Sequence, residues 1–396
     1  MKRRGAGGKA WGDAVRFVLV ILFFWFLSVA ASSEQRTIVL AAASPQERPA
    51  VLAAASPPEC SADSAVVVSP ESPVHSATLA PQQPSLPGAA DRVRIAEAWR
   101  IVDRLGDDLW PGFSKAPRAV LLVTPKTEYL FYHPSPTGDF VCVGRDSITG
   151  SDVYARDRVF DKRLLATFPA VAGVPTVVIG EPRNTEASHS TRWVATLLHE
   201  HFHQYQQSQP GYYQGALALG LAGDDTTGMW MLDYPFPYES REVNEAFSSL
   251  CRCLADAVEA VGRASFRDSV ARYLDTRRAF HRVLDEKDYA YFSFQVWQEG
   301  IARYTEYALI RRAGVAYTPT QAFIALPDRV PFDNDASETF DHILTELRRV
   351  SLKKAKRTAF YHVGAAEGRL LDEVSPGWQR RYFEEKFFVE RYFRSD

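Results

Sequence analysis

Cysteine is scarce in this chain of 396 residues, which contains only four. No C-x-x-C pair occurs among them, so a structural zinc site built on cysteine has no support. Cys251 and Cys253 are two positions apart on a predicted helix and point to different faces, so we do not expect them to pair with each other. The sequence also lacks the G-x-S-x-G and P-loop motifs, and no Cys adjoins a His. Hydrolysis through a nucleophilic side chain therefore has little support.

The chain also lacks an excess of charge of one sign, and residues 32–90 lack aromatic side chains. The chain has 46 Lys and Arg against 48 Asp and Glu, and no basic run dominates it. A nucleic-acid partner therefore has little support. Residues 32–90 are rich in Ala, Pro and Ser and contain no aromatic residue. Because such a segment buries too little apolar surface to offset its ordering entropy, we predict a disordered linker over 32–90.

The first 31 residues have the composition of an export signal. A start with four Lys and Arg precedes an apolar run from Phe17 to Ala31 that ends in small residues. This pattern is typical of a secretory signal peptide, and the run is shorter than the roughly 20 residues that span a bilayer. We predict an extracytoplasmic protein, secreted or periplasmic. An uncleaved signal anchor is the alternative, with membrane contact only through this segment.

The folded domain is predicted over 91–396, with its strands first and its helices afterwards. After a first helix at 91–110, β-like runs occupy 119–124, 128–133, 139–144 and 175–180. The predicted later helices are 190–208, 239–261, 264–287, 291–312, 337–349, 358–374 and 377–394, with a loop at 211–237. This order predicts an α+β fold in which a small N-terminal β-sheet is followed by a mainly helical region. An aromatic stripe on the last helix is expected to dock the C-terminus on the domain.

One of these helices carries the H-E-x-x-H pattern. His199 and His203 are four residues apart, so they share a helix face and can bind one metal ion. Glu200 lies about 100° around the helix, where it can take a proton from a water molecule that zinc activates. Apolar residues are expected to cover the opposite side of the helix. His201 points away from both proposed ligands and is predicted to be a hydrogen-bonded core histidine.

A catalytic zinc ion needs a third protein ligand, for which the sequence offers two carboxylates. Glu299 precedes Gly300, which we expect to let its helix approach the histidine helix closely. Glu245 is the alternative. Each has a structural interpretation as well, because Glu299 can pair with Arg303, and Glu245 with Arg241, at helical spacing.

These motifs resemble those of the gluzincins, a group of zinc metallopeptidases. In that group H-E-x-x-H is followed by a Glu on a downstream helix. The segment Glu299–Glu306, E-G-I-A-R-Y-T-E, resembles an E-G-x-A-x-Y-x-E stretch whose first Glu is the third zinc ligand. Asn244 and Glu245 resemble the shorter N-E-x-x-S-D stretch of thermolysin-like enzymes, although Ser249 stands where that stretch has its Asp. The resemblance covers about 177–306 and implies a thermolysin-like core, a Zn²⁺ cofactor and a peptide or protein substrate.

Two departures from the group bear on this interpretation. The gap of 96 residues from His203 to Glu299 is long for the group, and the G-x-M-E-N stretch of classical aminopeptidases is absent. Tyr361 and His362 are candidates for the group that stabilises an oxyanion, with packing at a helix start as the alternative role. Two other functions stay open: a catalytically silent binding module of the cell envelope, and a zinc hydrolase of a non-peptide substrate. Glu200 favours an enzyme, since a silent module needs no base.

Overall fold

The computed structural model describes residues 85–393. Its strands are β1 Val120–Val123, β2 Thr127–Phe131, β3 Val141–Arg145, β4 Asp152–Asp157, β5 Leu165–Val171 and β6 Val174–Gly180. Its helices are α1 Ala89–Ile101, α2 Asp107–Leu109, α3 Ser190–Gln207, α4 Tyr212–Ala218, α5 Trp230–Asp233, α6 Arg241–Glu259, α7 Phe266–Arg282, α8 Glu286–Gln295, α9 Ile301–Ala316, α10 Gln321–Ile324, α11 Phe332–Arg349, α12 Leu352–Ala355 and α13 Ala359–Val374. The predicted α+β class, with a sheet first and helices afterwards, is confirmed.

The six strands form one sheet in the order β3-β4-β2-β1-β6-β5, in which β1 and β6 are the parallel pair. Side chains of β1 alternate between the two faces, as the period of a strand requires. Val120 and Leu122 point into the large core shared with the helices, whereas Leu121 and Val123 point into a smaller core on the other face. Strand β5 is last in the strand order, so it forms one edge of the sheet, and it contacts α3, the helix that carries His199 and His203.

Helix α3 is buried between this sheet and the other helices. Trp193 donates a hydrogen bond to the Gly180 carbonyl at 2.7 Å, and the side-chain amide of Gln204 donates one to the Ala119 carbonyl at 2.8 Å. These bonds fix the helix against the ends of β6 and β1. His201 is fully buried on this helix, where its Nδ1 lies 2.9 Å from Oε1 of Gln204 and its ring packs edge-to-face with Trp99 at 4.7 Å between centroids. The prediction of a core histidine is confirmed.

The third proposed ligand lies in a break between two helices. The sequence predicts one continuous helix over 291–312, but residues Val296–Gly300 form a turn of π-helix between α8 and α9. A π-turn holds one more residue than an α-turn, and such turns are frequent at functional sites. Glu299 lies within this turn.

Gly300 makes a close helix crossing, although not the expected one. A Cβ at Gly300 would lie 2.5 Å from the Cα of Gly364, which belongs to α13. The expectation that Gly300 lets its helix approach the histidine helix is therefore wrong. Instead, two glycines let the start of α13 approach the π-turn that carries Glu299.

The C-terminal segment is not the helix predicted at 377–394. Residues Trp378–Arg381 and Val389–Phe393 form two short 3₁₀ turns, and Gly377 and Phe387 have positive φ angles of 84° and 73°. The helical spacing of aromatic residues still reports burial, because Trp378, Tyr382 and Phe387 pack into the large core. The expected docking of the C-terminus is confirmed, but without a helix.

The predicted signal segment and nearly all of the predicted linker lie outside the described residues. Between residues 85 and 393, no helix combines the length and the apolar character that a bilayer crossing requires. Cys251 and Cys253 both carry free thiols, as expected.

Candidate metal centre

Three buried side chains from two elements meet at one point. His199 and His203 come from α3, and Glu299 comes from the π-turn. The two Nε2 atoms are 3.2 Å apart, and Oε2 of Glu299 lies 3.3 Å from Nε2 of His203 and 3.7 Å from Nε2 of His199. Each side chain is at most 10% exposed. The structure thus brings together the two histidines and the first of the two proposed carboxylates.

The spacing of these atoms fits a small tetrahedral cation. Ligand atoms at about 2.0–2.2 Å from such an ion lie about 3.3–3.6 Å from one another. The three observed distances scatter around that range. Oε2 of Glu299 is also buried without a well-aligned hydrogen-bond donor among the described residues. A buried carboxylate oxygen facing two imidazole nitrogens is the arrangement that a cation satisfies. The group can therefore hold a metal ion.

Second-layer contacts orient both imidazoles. Nδ1 of His203 lies 2.8 Å from Oε1 of Gln206, so an N–H at Nδ1 leaves the Nε2 lone pair free for a ligand role. Gln206 is itself fixed by the Tyr382 hydroxyl at 2.8 Å. Nδ1 of His199 lies 3.4 Å from Oε2 of Glu306, an ion-pair distance. Such carboxylate–histidine pairs fix the ring and make the ligand more basic.

The electrostatics of the group favour a cation at its centre. Burial alone lowers the pKa of His199, but the carboxylates of Glu299 and Glu306 outweigh it and raise that pKa to about 9. Burial raises the pKa of Glu299, yet His203 and His199 hold it well below its usual range. Burial also raises the pKa of Glu306, but Arg303, His199 and Arg192 together outweigh burial and lower that pKa to about 2. Two ionised carboxylates therefore surround the imidazole nitrogens.

Glu200 lies beside the group without joining it. Its side chain is buried, and the Thr167 hydroxyl lies 3.0 Å from its Oε2 and 2.8 Å from its backbone carbonyl. The single hydroxyl proton is therefore shared between these two acceptors. Burial raises the pKa of the Glu200 carboxyl, although the nearby His203 and His199 offset part of this rise. A carboxylate with a raised pKa is a better proton acceptor near neutral pH.

No family model, curated protein or solved structure matches this chain. The resemblance to gluzincins therefore rests on the motifs at 199–203 and 299–306. The structure adds a shared buried position for the two histidines and Glu299.

Two cavities border Glu200. The larger, of about 340 Å³, is lined by His199, Glu200 and Tyr361, among others. The smaller, of about 50 Å³, is lined by Glu200, His203 and Glu299. The metal group, His199, His203 and Glu299, and the side chain of Glu200 thus line these two cavities.

The structure separates the remaining candidate residues. Glu245 is exposed on α6, where it pairs with Arg241 at 2.7 Å, and it does not join the metal group. Tyr361, in the first turn of α13, lines the larger cavity, and its hydroxyl accepts a hydrogen bond from Arg357 at 2.6 Å. His362 is buried beside His342, with 5.4 Å between ring centroids. Tyr361 therefore borders the cavity, whereas His362 faces another histidine.

Several residues of the site went unrecognised in the sequence. They are Thr167, Gln206, Gln298, Glu306 and Arg357. Glu306 is the last residue of the E-G-x-A-x-Y-x-E stretch, so its spacing from Glu299 is a usable signal. The contact between His203 and Gln206 could be predicted, because the two residues are three positions apart on the same helix. Thr167 and Arg357 carried no such signal, because their positions depend on how β5 and α13 pack against α3.

Proposed function

We propose that the chain is a gluzincin-type zinc metallopeptidase with a thermolysin-like core. One observation carries the proposal: the buried triangle of His199, His203 and Glu299 has the proton acceptor Glu200 at its side and borders a cavity of about 340 Å³. When bound there, Zn²⁺ would act as a Lewis acid that polarises a carbonyl group and acidifies water.

The residues around the triangle supply the rest of the chemistry. His199, His203 and Glu299 hold the ion, and Glu306 and Gln206 orient the two imidazoles. Glu200 takes the proton of the attacking water at its carboxylate and can return it to the leaving amine. Thr167 positions that carboxylate through its hydroxyl. Tyr361, whose pKa burial raises, stays a neutral hydrogen-bond donor towards a developing oxyanion.

The edge of the sheet favours a peptide substrate over other classes. Leu165 of β5 lines the larger cavity and Thr167 of the same strand lines the smaller one. An edge strand offers backbone N–H and C=O groups to an extended chain, so a peptide can lie along β5 and pass the metal group. A non-peptide substrate would not use this feature.

The experiment is a paired measurement on the purified chain and its Glu200→Gln variant. The first quantity is zinc per chain, and the second is the cleavage of a mixed peptide library. The parent should bind one zinc ion and cleave peptides. Glu200→Gln keeps the shape of the side chain, so zinc content and thermal stability should hardly change. Turnover should fall by about 10²–10⁴-fold, since only the proton acceptor is lost.

His199→Ala is the matched variant on the neighbouring residue, and it should lose the metal together with the activity. Other outcomes point elsewhere. If Glu200→Gln cleaves as fast as the parent, Glu200 is not the base. If the parent binds zinc but cleaves no peptide, the silent binding module or a hydrolase of another substrate becomes the better interpretation.

A further inference from the structure

Four arginines line the larger cavity, and they differ in what neutralises them. Arg192 and Arg303 both pair with Glu306, at 2.9 and 2.6 Å, and Arg163 pairs with Asp161 at 3.2 Å. These three cations are therefore engaged by carboxylates of the chain itself.

Arg357 has a different environment. It is half-buried and lines the cavity. Its Nη1 donates to the neutral Tyr361 hydroxyl at 2.6 Å, and no carboxylate among residues 85–393 lies within ion-pair distance. Glu299 attracts it from farther away, but that carboxylate faces the two imidazoles. The guanidinium of Arg357 therefore has further N–H groups that can donate hydrogen bonds to an anion entering from the cavity.

The turn before Arg357 is strained. Lys356 adopts φ 49° and ψ −133°, a conformation that a residue with a Cβ rarely adopts. The strained turn joins α12 to the start of α13, where the crossing of Gly364 over Gly300 fixes the helix. Strain of this kind persists where the surrounding structure imposes it, and it is common at ligand-binding positions. Arg357 directly follows this strained residue, and its side chain lines the cavity.

We infer that Arg357 binds a carboxylate of the substrate and makes the site selective for acidic ligands. This inference rests on the proposed function for the identity of the substrate as a peptide. The carboxylate can be the C-terminus of the peptide or the side chain of an Asp or Glu residue. A planar guanidinium that donates two hydrogen bonds suits either source, and it prefers both to an amide.

The test is equilibrium dialysis of N-acetyl hexapeptide pools against the zinc-loaded Glu200→Gln chain, with the bound fraction measured by mass spectrometry. Because Glu200→Gln removes the proton acceptor, binding is measured with little cleavage of the peptides. One pool has a free C-terminus and no acidic side chain, a second has an amidated C-terminus with one Glu, and a third is amidated with Gln in place of that Glu. The first or the second pool should bind about tenfold more tightly than the third, as a charge-assisted hydrogen bond implies. The pool that gains identifies the source of the carboxylate.

When Arg357→Gln is added to the Glu200→Gln chain, the affinity of the favoured pool divided by that of the third pool should fall close to one. Arg357→Lys should keep part of this preference, because a cation stays in the cavity. Arg272→Gln, an exposed position on α7, is the control and should leave the preference unchanged. The metal-free chain should keep the preference too, because Arg357 and not the ion provides it. The inference is overturned if the parent binds all pools alike, or if a folded Arg357→Gln chain keeps the full preference. A chain that prefers carboxylates but cleaves no peptide retains this binding site and loses the proposed function.

Discussion

At the scale of single residues, we expect Glu306 to control how tightly the metal group binds zinc. Its carboxylate contacts Nδ1 of His199 at 3.4 Å and so supports the ligand from behind. Glu306→Gln removes this charge and should weaken zinc binding by about 10–100-fold. Competition with a fluorescent zinc chelator measures the affinity, and a thermal scan checks that the variant is folded.

Glu338→Gln is the matched control for this measurement. Glu338 is exposed and lines the same cavity, so its substitution removes a negative charge without touching a ligand. Its zinc affinity should stay near that of the parent. Equal losses in Glu306→Gln and Glu338→Gln would mean that the general field of the cavity, and not the contact with His199, sets the affinity.

Thr167 tunes the proton acceptor, and this makes a prediction about pH. Its hydroxyl lowers the pKa of Glu200 by stabilising the charged carboxylate. Thr167→Val keeps the volume but removes the donor, so the pKa of Glu200 should rise. Because Glu200 acts in its ionised form, the acid limb of the kcat/KM profile should move to higher pH, by about one unit. Thr176→Val, on the adjacent strand β6, should leave that limb in place, and a shift in the opposite direction would contradict the assignment.

At the scale of elements, the crossing of α13 and the π-turn positions Glu299. A Cβ on Gly364 would lie 2.5 Å from both the Cα of Gly300 and the carbonyl oxygen of Val296. Backbone atoms cannot yield as a flexible side chain does, so Gly364→Ala must push α13 away. We expect a loss of about 1–3 kcal/mol in the free energy of unfolding, measured with urea, and weaker zinc binding.

Gly138→Ala serves as the comparison for this substitution. A Cβ at this exposed turn position would meet nothing within 4 Å. The two variants add the same methyl group to the chain, so any difference between them comes from packing. Similar stabilities for both would show that α13 can move without cost.

The sequence was most informative where one local pattern determines an element. The spacing of His199 and His203 predicts a shared face whatever the rest of the chain does, and the bounds 190–208 agree closely with Ser190–Gln207. The sequence does not predict strand β4, D-V-Y-A-R-D, because its charged residues are typical of a loop. In the structure Arg156 of this strand pairs at 2.8 Å with Glu128, which is fully buried, so a long-range contact makes the strand possible.

The errors at the π-turn and the C-terminus have a similar cause. A π-turn keeps the apolar pattern of a helix, and the aromatic spacing of the last segment is also that of a helix. Only tertiary contacts decide between the alternatives. One such contact is the parallel stacking of Trp297 on Tyr382, with 4.5 Å between centroids. The Tyr382 hydroxyl then donates to the Trp297 carbonyl at 2.5 Å. Periodicity reports which residues are buried but not how the backbone turns between them.

At the scale of the whole molecule, the described domain joins one sheet to a layer of helices through α3. The class of the fold and the position of the histidine helix after the strands could be predicted from the order of patterns. The sequence narrows the third ligand only to two carboxylates, because Glu299 lies 96 positions after His203 and no local pattern shows that so long a segment brings the two together. Export and the signal segment stay predictions, since they concern residues outside the described part.

The metal group also links distant parts of this molecule. Its ligands come from α3 and from the π-turn, so a bound ion cross-links two elements that are far apart in sequence. Without the ion, the raised pKa of His199 indicates that a proton on this residue holds the two elements together in part near neutral pH.

A ligand present at 100 times its Kd stabilises the folded state by about 2.7 kcal/mol. For a domain of this size, removing zinc with a chelator should therefore lower the Tm by roughly 5 °C or more. The Tm of His199→Ala, which has no ion to lose, should not respond to the chelator. A parent whose Tm stays constant while its zinc is removed would show that the ion does not hold α3 and the π-turn together.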